Sequence, residues 1–188
     1  ILSIVLCLVM VFSLLPFTAS AASAIPINEE TFPDPVFREY VLKIVGSSVL
    51  TEEKAQQIEV LDVSDDNIKE VLGDRAPITS LMGIRYLRYV KDLNCSGQEL
   101  KKTLNLEQNS RVEKLNCSGN QLTGLWFHKG SLLRYLDCSV NQFTALNLSK
   151  NPELTELSCS SNTLTSLHLS ANTMLQGINA SSKKLAAL

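Results

Sequence analysis

Aromatic side chains are scarce in this chain, 6% of its 188 residues, while 45% of the residues are hydrophobic. The apolar content is therefore mainly aliphatic and Leu-heavy, the composition of a layered, regular core. An excess of either charge is also lacking: 17 basic residues face 19 acidic ones, the net charge is −2, and no polybasic run occurs. That balance excludes the electrostatic footprint of a nucleic-acid binder and a charge-driven membrane contact. A chain of this length can be one domain or a short solenoid, so length does not choose the architecture.

What the first residues do contain is an uncharged apolar run, Ile1 to Leu15, broken by Pro16 and followed by Thr18-Ala19-Ser20-Ala21-Ala22-Ser23-Ala24. The run is short of the roughly 20 residues a membrane span needs. Two successive small-x-small sites, Ala19-Ser20-Ala21 and Ala22-Ser23-Ala24, mark it as a signal peptide over residues 1–24, cut to leave a mature chain that starts near Ala22 or Ile25. No membrane insertion is expected after that cut. The charged segment that normally opens such a peptide is missing, so the sequence is expected to be a fragment at its beginning. Cys7 follows a bulky Leu6 and does not suit a lipid-attachment site.

The second half of the chain repeats itself. Leu93-Asn94-Cys95-Ser96-Gly97 returns as Leu115-Asn116-Cys117-Ser118-Gly119, Leu136-Asp137-Cys138-Ser139-Val140, Leu157-Ser158-Cys159-Ser160-Ser161 and Ile178-Asn179-Ala180-Ser181-Ser182. The spacings are 115−93 = 22, then 136−115, 157−136 and 178−157, each 21. Further columns keep this register: Leu100, Leu122, Phe143, Leu164 and Leu185; Leu104, Leu125, Leu146, Leu167 and Leu188; Leu106, Phe127, Leu148 and Leu169; and Val112, Leu133, Leu154 and Leu175. One extra residue near Lys101-Lys102 accounts for the single spacing of 22. A 21-residue coil buries too little apolar surface to offset its own ordering, so neighbouring coils must stack to be stable.

Residues Leu133 to Phe143 read L-x-x-L-x-C-x-x-N-x-F, and Phe143 to Leu154 read F-x-x-L-x-L-x-x-N-x-x-L. Both halves resemble the leucine-rich-repeat signature, and the chain looks like a bacterial leucine-rich-repeat family in which that motif is nested twice per coil, over residues 58–188. The resemblance implies a right-handed solenoid of short parallel strands stacked rung on rung, with a short helical N-terminal cap. The expected divisions are a cap over residues 25–57, irregular first repeats with an inserted loop over 58–92, and leucine-rich repeats over 93–188, truncated at the C-terminus.

The cysteines Cys95, Cys117, Cys138 and Cys159 share one column, continued by Ala180. Rungs about 4.8 Å apart satisfy the Cα window for a disulfide, but parallel Cβ vectors keep the same separation, beyond the roughly 3.8 Å that a disulfide prefers. Buried free thiols filling a narrow column are favoured over disulfides or metal ligands. Asn120, Asn141 and Asn162 form a second column, with Gln98 and Lys183 as departures; an inward amide there can satisfy backbone groups opened by the bend. Ser96, Ser118, Ser139, Ser160 and Ser181 read as turn hydroxyls. A serine nucleophile needs an adjacent base, but His128 lies 13 positions after Leu115 and His168 lies 11 after Leu157, in different columns two coils apart. No catalytic residue, metal site or cofactor is expected. The N-x-S sequons at Asn94, Asn116, Asn147 and Asn179 recur with the repeat and read as by-products of its motif.

Ahead of the repeats, Pro33-Asp34-Pro35 precedes Val36, Phe37, Tyr40, Val41, Ile44 and Val45, a helix with Asp34 as N-cap and Pro35 at its first position. A second short helix is expected from Thr51, with Glu52 and Glu53 in its first turn. Ile58 to Ile68 reads as an opening strand and turn. The stretch Ile27 to Arg38 is similar to the caps of secreted repeat proteins of clostridia-like bacteria, in which an acidic EF-hand-like loop often joins the two helices. With Leu50 at the eighth loop position, the first, third, fifth and twelfth are Lys43, Val45, Ser47 and Lys54. A calcium loop wants carboxylates there, so no calcium site is expected. Gly73 to Pro77 looks like an inserted loop, and Ile78, Leu81, Ile84, Leu87, Val90 and Leu93 recur every three residues, which fits a 3₁₀-like coil or another half-repeat.

If Leu115 and Cys117 face inward, their neighbours face out. One outward strip is Asp92, Lys114, Tyr135 and Glu156, flanked by Asn94, Asn116, Asp137 and Ser158; a second is Asn105, Trp126, Asn147 and His168. The candidate binding residues are thus Lys114, Tyr135, Glu156, Asn116, Asp137, Trp126, Asn147 and His168, with Trp126 a suitable anchor for a protein or glycan ligand. Two functions fit: a non-catalytic interaction module of a secreted or cell-surface bacterial protein, or a targeting or spacer segment of a larger secreted enzyme whose catalytic domain lies beyond Leu188.

Overall fold

The computed structural model describes residues 24–181. The expected signal segment lies outside them up to residue 23, as do Lys183, Leu185 and Leu188.

The cap begins with strand β1 (Ile25–Pro26), which pairs antiparallel with β2 (Val49–Leu50). Between them helix α1 (Pro35–Val45) starts as its sequence dictates: one Asp34 carboxylate oxygen accepts from the amides of Val36 and Phe37, and Pro35 occupies the first turn. It stops at Gly46, whose left-handed backbone (φ 67°) lets its amide close onto the Leu42 carbonyl. Val36, Phe37, Tyr40, Val41 and Val45 are buried. Helix α2 (Glu52–Gln56) is capped by the Thr51 hydroxyl, which accepts from the Lys54 amide.

The loop between α1 and α2 carries its own cation. The Lys54 ammonium lies 3.1 Å from the Val45 carbonyl and 2.8 Å from the Ser47 hydroxyl, which in turn donates to the Val49 carbonyl at 2.7 Å. Lys54 thus ties the end of α1 to the loop that follows it, and Lys43, Val45, Ser47 and Lys54, at positions where a calcium loop wants carboxylates, do not fit calcium. Lys54→Ala is expected to cost about 1.5–3 kcal/mol, the range for a hydrogen bond to a charged group, measured by thermal unfolding. Calorimetric titration of the mature chain with calcium should show no saturable uptake, and micromolar affinity would refute this account of the loop.

Strand β3 (Val60–Asp62) opens the stack, and helix α3 (Asp65–Leu72) follows it. The expected turn is therefore a two-turn helix, N-capped by Ser64 through the Asn67 amide, with Asp65 and Asp66 in its first turn. The chain from Gly73 to Pro77 has no regular structure and is tied to α1 by Arg75, whose guanidinium meets the Glu39 carboxylate at 3.1 and 3.2 Å. A 3₁₀ turn (Ile84–Tyr86) then forms, and Ile78, Leu81, Ile84, Leu87, Val90 and Leu93 are all buried, which resolves their three-residue spacing as a 3₁₀-containing coil.

The stack itself is a six-stranded parallel sheet of β3, β4 (Asp92–Asn94), β6 (Lys114–Asn116), β8 (Tyr135–Asp137), β9 (Glu156–Ser158) and β10 (Gly177–Asn179), adjacent in that order. The Leu93, Leu115, Leu136, Leu157 and Ile178 column is its register, joined at one end by Leu61. On the other half of the coils, β5 (Lys101–Leu106) pairs in parallel with β7 (Gln121–Phe127). The register shifts between Lys102 and Thr103, which pair with Leu122 and Gly124 and so leave Thr123 of β7 as the unpaired residue, and Lys102 adopts a left-handed backbone (φ 61°).

Polar columns close the bends. Asn120 donates to the carbonyls of Cys95 and Cys117 and accepts from the Leu100 amide; Asn141 does the same with Cys117, Cys138 and Leu122, and Asn162 with Cys138, Cys159 and Phe143. Gln98 performs the same task in the first coil, bridging the Val63 carbonyl and the Ile78 amide. A second buried column, Asn109, Asn151 and Asn172, is not singled out by the sequence analysis, although the N-x-x-L in its own motif carries the signal. Asn109 donates to the carbonyls of Ile84 and Leu87, and Asn172 to those of Leu148 and Asn151.

Candidate functional site

Side chains of these three-residue strands alternate in direction, so the middle residue of each rung from β3 to β9 is buried and its neighbours face out, while Ile178 of the last rung is exposed. Val60, Asp92, Lys114, Tyr135, Glu156 and Gly177 are in register along the sheet. Along this row Lys114 and Glu156 are exposed and Tyr135 is half-buried. The charges nearly neutralise one another: the Lys114 ammonium stands 4.0 Å from the Asp92 carboxylate, and Lys91 pairs with Glu59 at 2.9 Å beside it. Burial, then the carboxylates of Asp137 and Glu156, push the Tyr135 phenol above its ordinary range. It therefore stays a neutral donor at physiological pH.

Two shallow depressions flank that phenol. One, of about 470 Å³, is lined by Glu113, Lys114, Arg134, Tyr135, Thr155 and Glu156. The other, of about 550 Å³, runs from Tyr135, Asp137 and Glu156 to Ile178 and Asn179. Tyr135 and Glu156 are the wall they share.

The flanking residues are less free than strand alternation suggests. Asn116 accepts from the Ser118 amide (3.1 Å) and hydroxyl (2.7 Å), and Asp137 from the Ser139 amide (2.9 Å) and hydroxyl (2.6 Å). Both are half-buried turn residues that offer a partner only the atoms the turn leaves over. Asn94 and Asn147 bond Ser96 and Ser149 in the same way, which explains why the N-x-S sequons follow the repeat. The serine hydroxyls are thereby spent on turns, and His128 accepts through Nδ1 from the Gly130 amide.

The second strip stands on the other half of the coils. Asn105 pairs with Trp126 across β5 and β7, and Asn147 bridges to His168. Trp126 is 55% exposed over a hollow of about 270 Å³ lined by Gly124, Leu125, Phe127, Ala145, Leu146 and Lys150 among others. The two strips belong to separate sheets and do not form one continuous face of strands.

Under the first strip lies the thiol column. Cys95, Cys117, Cys138 and Cys159 are free and fully buried. Burial pushes the Cys95 thiol up to about 12 and Cys159 to about 11, and raises Cys117 and Cys138 well above the usual thiol value. Thiols held so firmly protonated are neither nucleophiles nor ready metal ligands. Among the described residues, no group of three or more His, Cys, Asp or Glu side chains is placed to hold a metal ion, and no helix is long and apolar enough to cross a membrane.

The solved structure of the functional domain of InlJ from Listeria monocytogenes, which includes a cysteine ladder, matches 91% of this chain at 31% identity with a TM-score of 0.75. This chain spans 36% of the length of that one. The internalin InlF of Listeria monocytogenes strain 4b F2365 matches 85% of the chain at 18% identity with a TM-score of 0.52, with 59% of its own length covered. This chain is a leucine-rich-repeat solenoid. No family model matches it, and no curated protein matches it in sequence. The solenoid reading makes the columns of leucine, cysteine and asparagine its interior, and leaves the strand face, the Trp126 strip and the coil edges as the surfaces on which chemistry with a partner can occur.

Proposed function

We propose that this chain is a protein-interaction module of a secreted or cell-surface bacterial protein, and that its partner docks on the strand face around Tyr135 and Glu156. The internalin-like neighbours support an interaction role in general. The single observation that carries the site is the shared wall: one aromatic donor and one carboxylate stand between two depressions on an otherwise charge-balanced strip. A half-buried aromatic between hollows supplies the anchor on which interface energy concentrates, while rim charges set orientation. Lys114 and Glu156 are the orienting charges here.

The test uses the full chain as bait. A surface protein that it captures is identified by mass spectrometry, and its Kd is measured for the parent and for variants. Tyr135→Ala is expected to weaken binding at least tenfold and Glu156→Lys by a similar factor, whereas Trp126→Ala changes it less than twofold. Binding that ignores Tyr135 but is lost with Trp126→Ala would move the site to the second strip. A glycan rather than a protein as the captured ligand would overturn the partner class.

A further inference from the structure

The first coil leaves one strand edge open. β5 hydrogen-bonds to β7 on one side only; on its other side the preceding coil, Thr79 to Arg85, is not a strand. The two segments touch at both ends. The Glu99 amide donates to the Ile78 carbonyl at 3.1 Å, and Asn109 Nδ2 to the Ile84 carbonyl at 2.9 Å. Between these ties they part to leave a slot of about 410 Å³.

The far wall of this slot cannot close onto β5, because the cap holds it from behind. The second oxygen of Asp34 accepts from the Thr79 amide (2.9 Å), the Thr79 hydroxyl (3.0 Å) and the Ser80 amide (3.3 Å). Gly83, in a left-handed backbone (φ 106°), presses against Phe32 so closely that a Cβ there would come within 2.5 Å of the ring. The wall is thus fixed before any ligand arrives, a preorganisation that lowers the cost of binding.

The slot's chemistry specifies an occupant. Its floor is aliphatic, from Leu100, Leu104 and Leu122, and Met82 stands at the rim 58% exposed. Its lining holds Arg85, Lys101 and one carboxylate, Glu107; Lys101 is met by Glu99 at 3.8 Å and Glu107 by Lys150 at 3.5 Å, so Arg85, stacked on Tyr86, is the lining's cation with no carboxylate against it among the described residues. An edge strand with an open row of amides and carbonyls is a template for another strand. Strand side chains alternate, so an added strand would send one set to the aliphatic floor and the other to the rim that carries Arg85. We propose that this slot takes an extended segment of a partner protein, alternating apolar and acidic residues, added as a strand to the free edge of β5. This surface is separate from the Tyr135 face and does not depend on it.

The probe is a capped octapeptide of alternating Val and Glu, titrated against the full chain by fluorescence anisotropy and by amide shifts in NMR. Saturable binding is expected, with the largest shifts at Lys101 to Leu106. The paired variant Arg85→Glu with Lys101→Glu should weaken it at least tenfold, while Tyr135→Ala leaves it unchanged. N-methylation of the peptide amides along one edge should abolish binding and along the other should not, a signature that only strand addition produces. The proposal is overturned by equal binding of the Val-Lys octapeptide, by equal effects of methylation on both edges, by shifts that fall elsewhere, or by no saturation at millimolar peptide. Pairing of β5 with a second copy of the chain in place of the peptide, seen as a dimer in sedimentation, would overturn it as well.

Discussion

Replacing Cys138 by Asp is expected to destabilise the solenoid by more than about 4 kcal/mol, whereas Cys138→Ala should cost on the order of 1 kcal/mol. The thiol sits fully buried between the rungs of Cys117 and Cys159. Its backbone is fixed on both sides, the Cys138 amide donating to the Ser158 carbonyl at 2.8 Å and the Cys117 amide to the Asp137 carbonyl at 2.8 Å. A carboxylate at this place has no cation within the column and stands next to the existing Asp137 carboxylate, so it must be buried unpaired or be protonated at a cost. Alanine leaves only the small void of a missing sulfur, and Ala180 already occupies the same column two rungs further on. Urea unfolding of both variants measures the difference. Equal losses would mean that the column is not apolar and dry, and a disulfide between Cys138 and Cys159 in unreduced protein would replace the packing account with a cross-link.

Alkaline pH is expected to unfold the protein far more steeply than surface charge alone would. In the unfolded chain a thiol ionises near 8.5, whereas in the fold Cys95 titrates at about 12 and Cys159 at about 11, with Cys117 and Cys138 also well raised. The folded values lie above the unfolded ones, so the stabilising contribution is complete below about pH 8.5 and is lost as pH climbs toward the folded values. Through that window each thiol contributes a slope of up to about 1.4 kcal/mol per pH unit, so Cys95 and Cys159 together approach about 3, and Cys117 and Cys138 add in the same direction. Against a typical total stability of about 5–15 kcal/mol, that loss is large enough to unfold the protein in the alkaline range. The buried Tyr40 phenol, also raised by burial, acts in the same direction at higher pH. Stability measured against pH for Cys138→Ala should show a slope shallower by about 1.4 kcal/mol per unit. An unchanged slope would mean that Cys138 is not a buried thiol.

The repeat was the most legible part of this molecule. The spacing of Leu93, Leu115, Leu136, Leu157 and Ile178 is the strand register itself, because each rung covers the one before it and a column can only hold side chains of matching size. Helix α1 was legible for a different reason: Asp34, Pro35 and the apolar face all point to the same boundaries. Helix α3 was not. It buries only Ile68 among its eight residues, too little periodicity to separate it from the repeat turn that Asp65-Asp66-Asn67 resembles. The surface was legible in part. Alternation placed Lys114, Tyr135 and Glu156 correctly on the outside, but it could not show that Asn116 and Asp137 spend their oxygens on local turns. The β5 slot was invisible, since its wall is held by Asp34 from 45 residues away.

The most direct test of the interaction account is site-specific photo-crosslinking with p-benzoylphenylalanine in the full chain. Placed at Tyr135 or Glu156, the label should attach covalently to one and the same partner protein, and at the exposed Lys129 it should attach to none. Attachment of that partner at Lys129 but not at either strand-face position would contradict the assignment of this face as the site of binding.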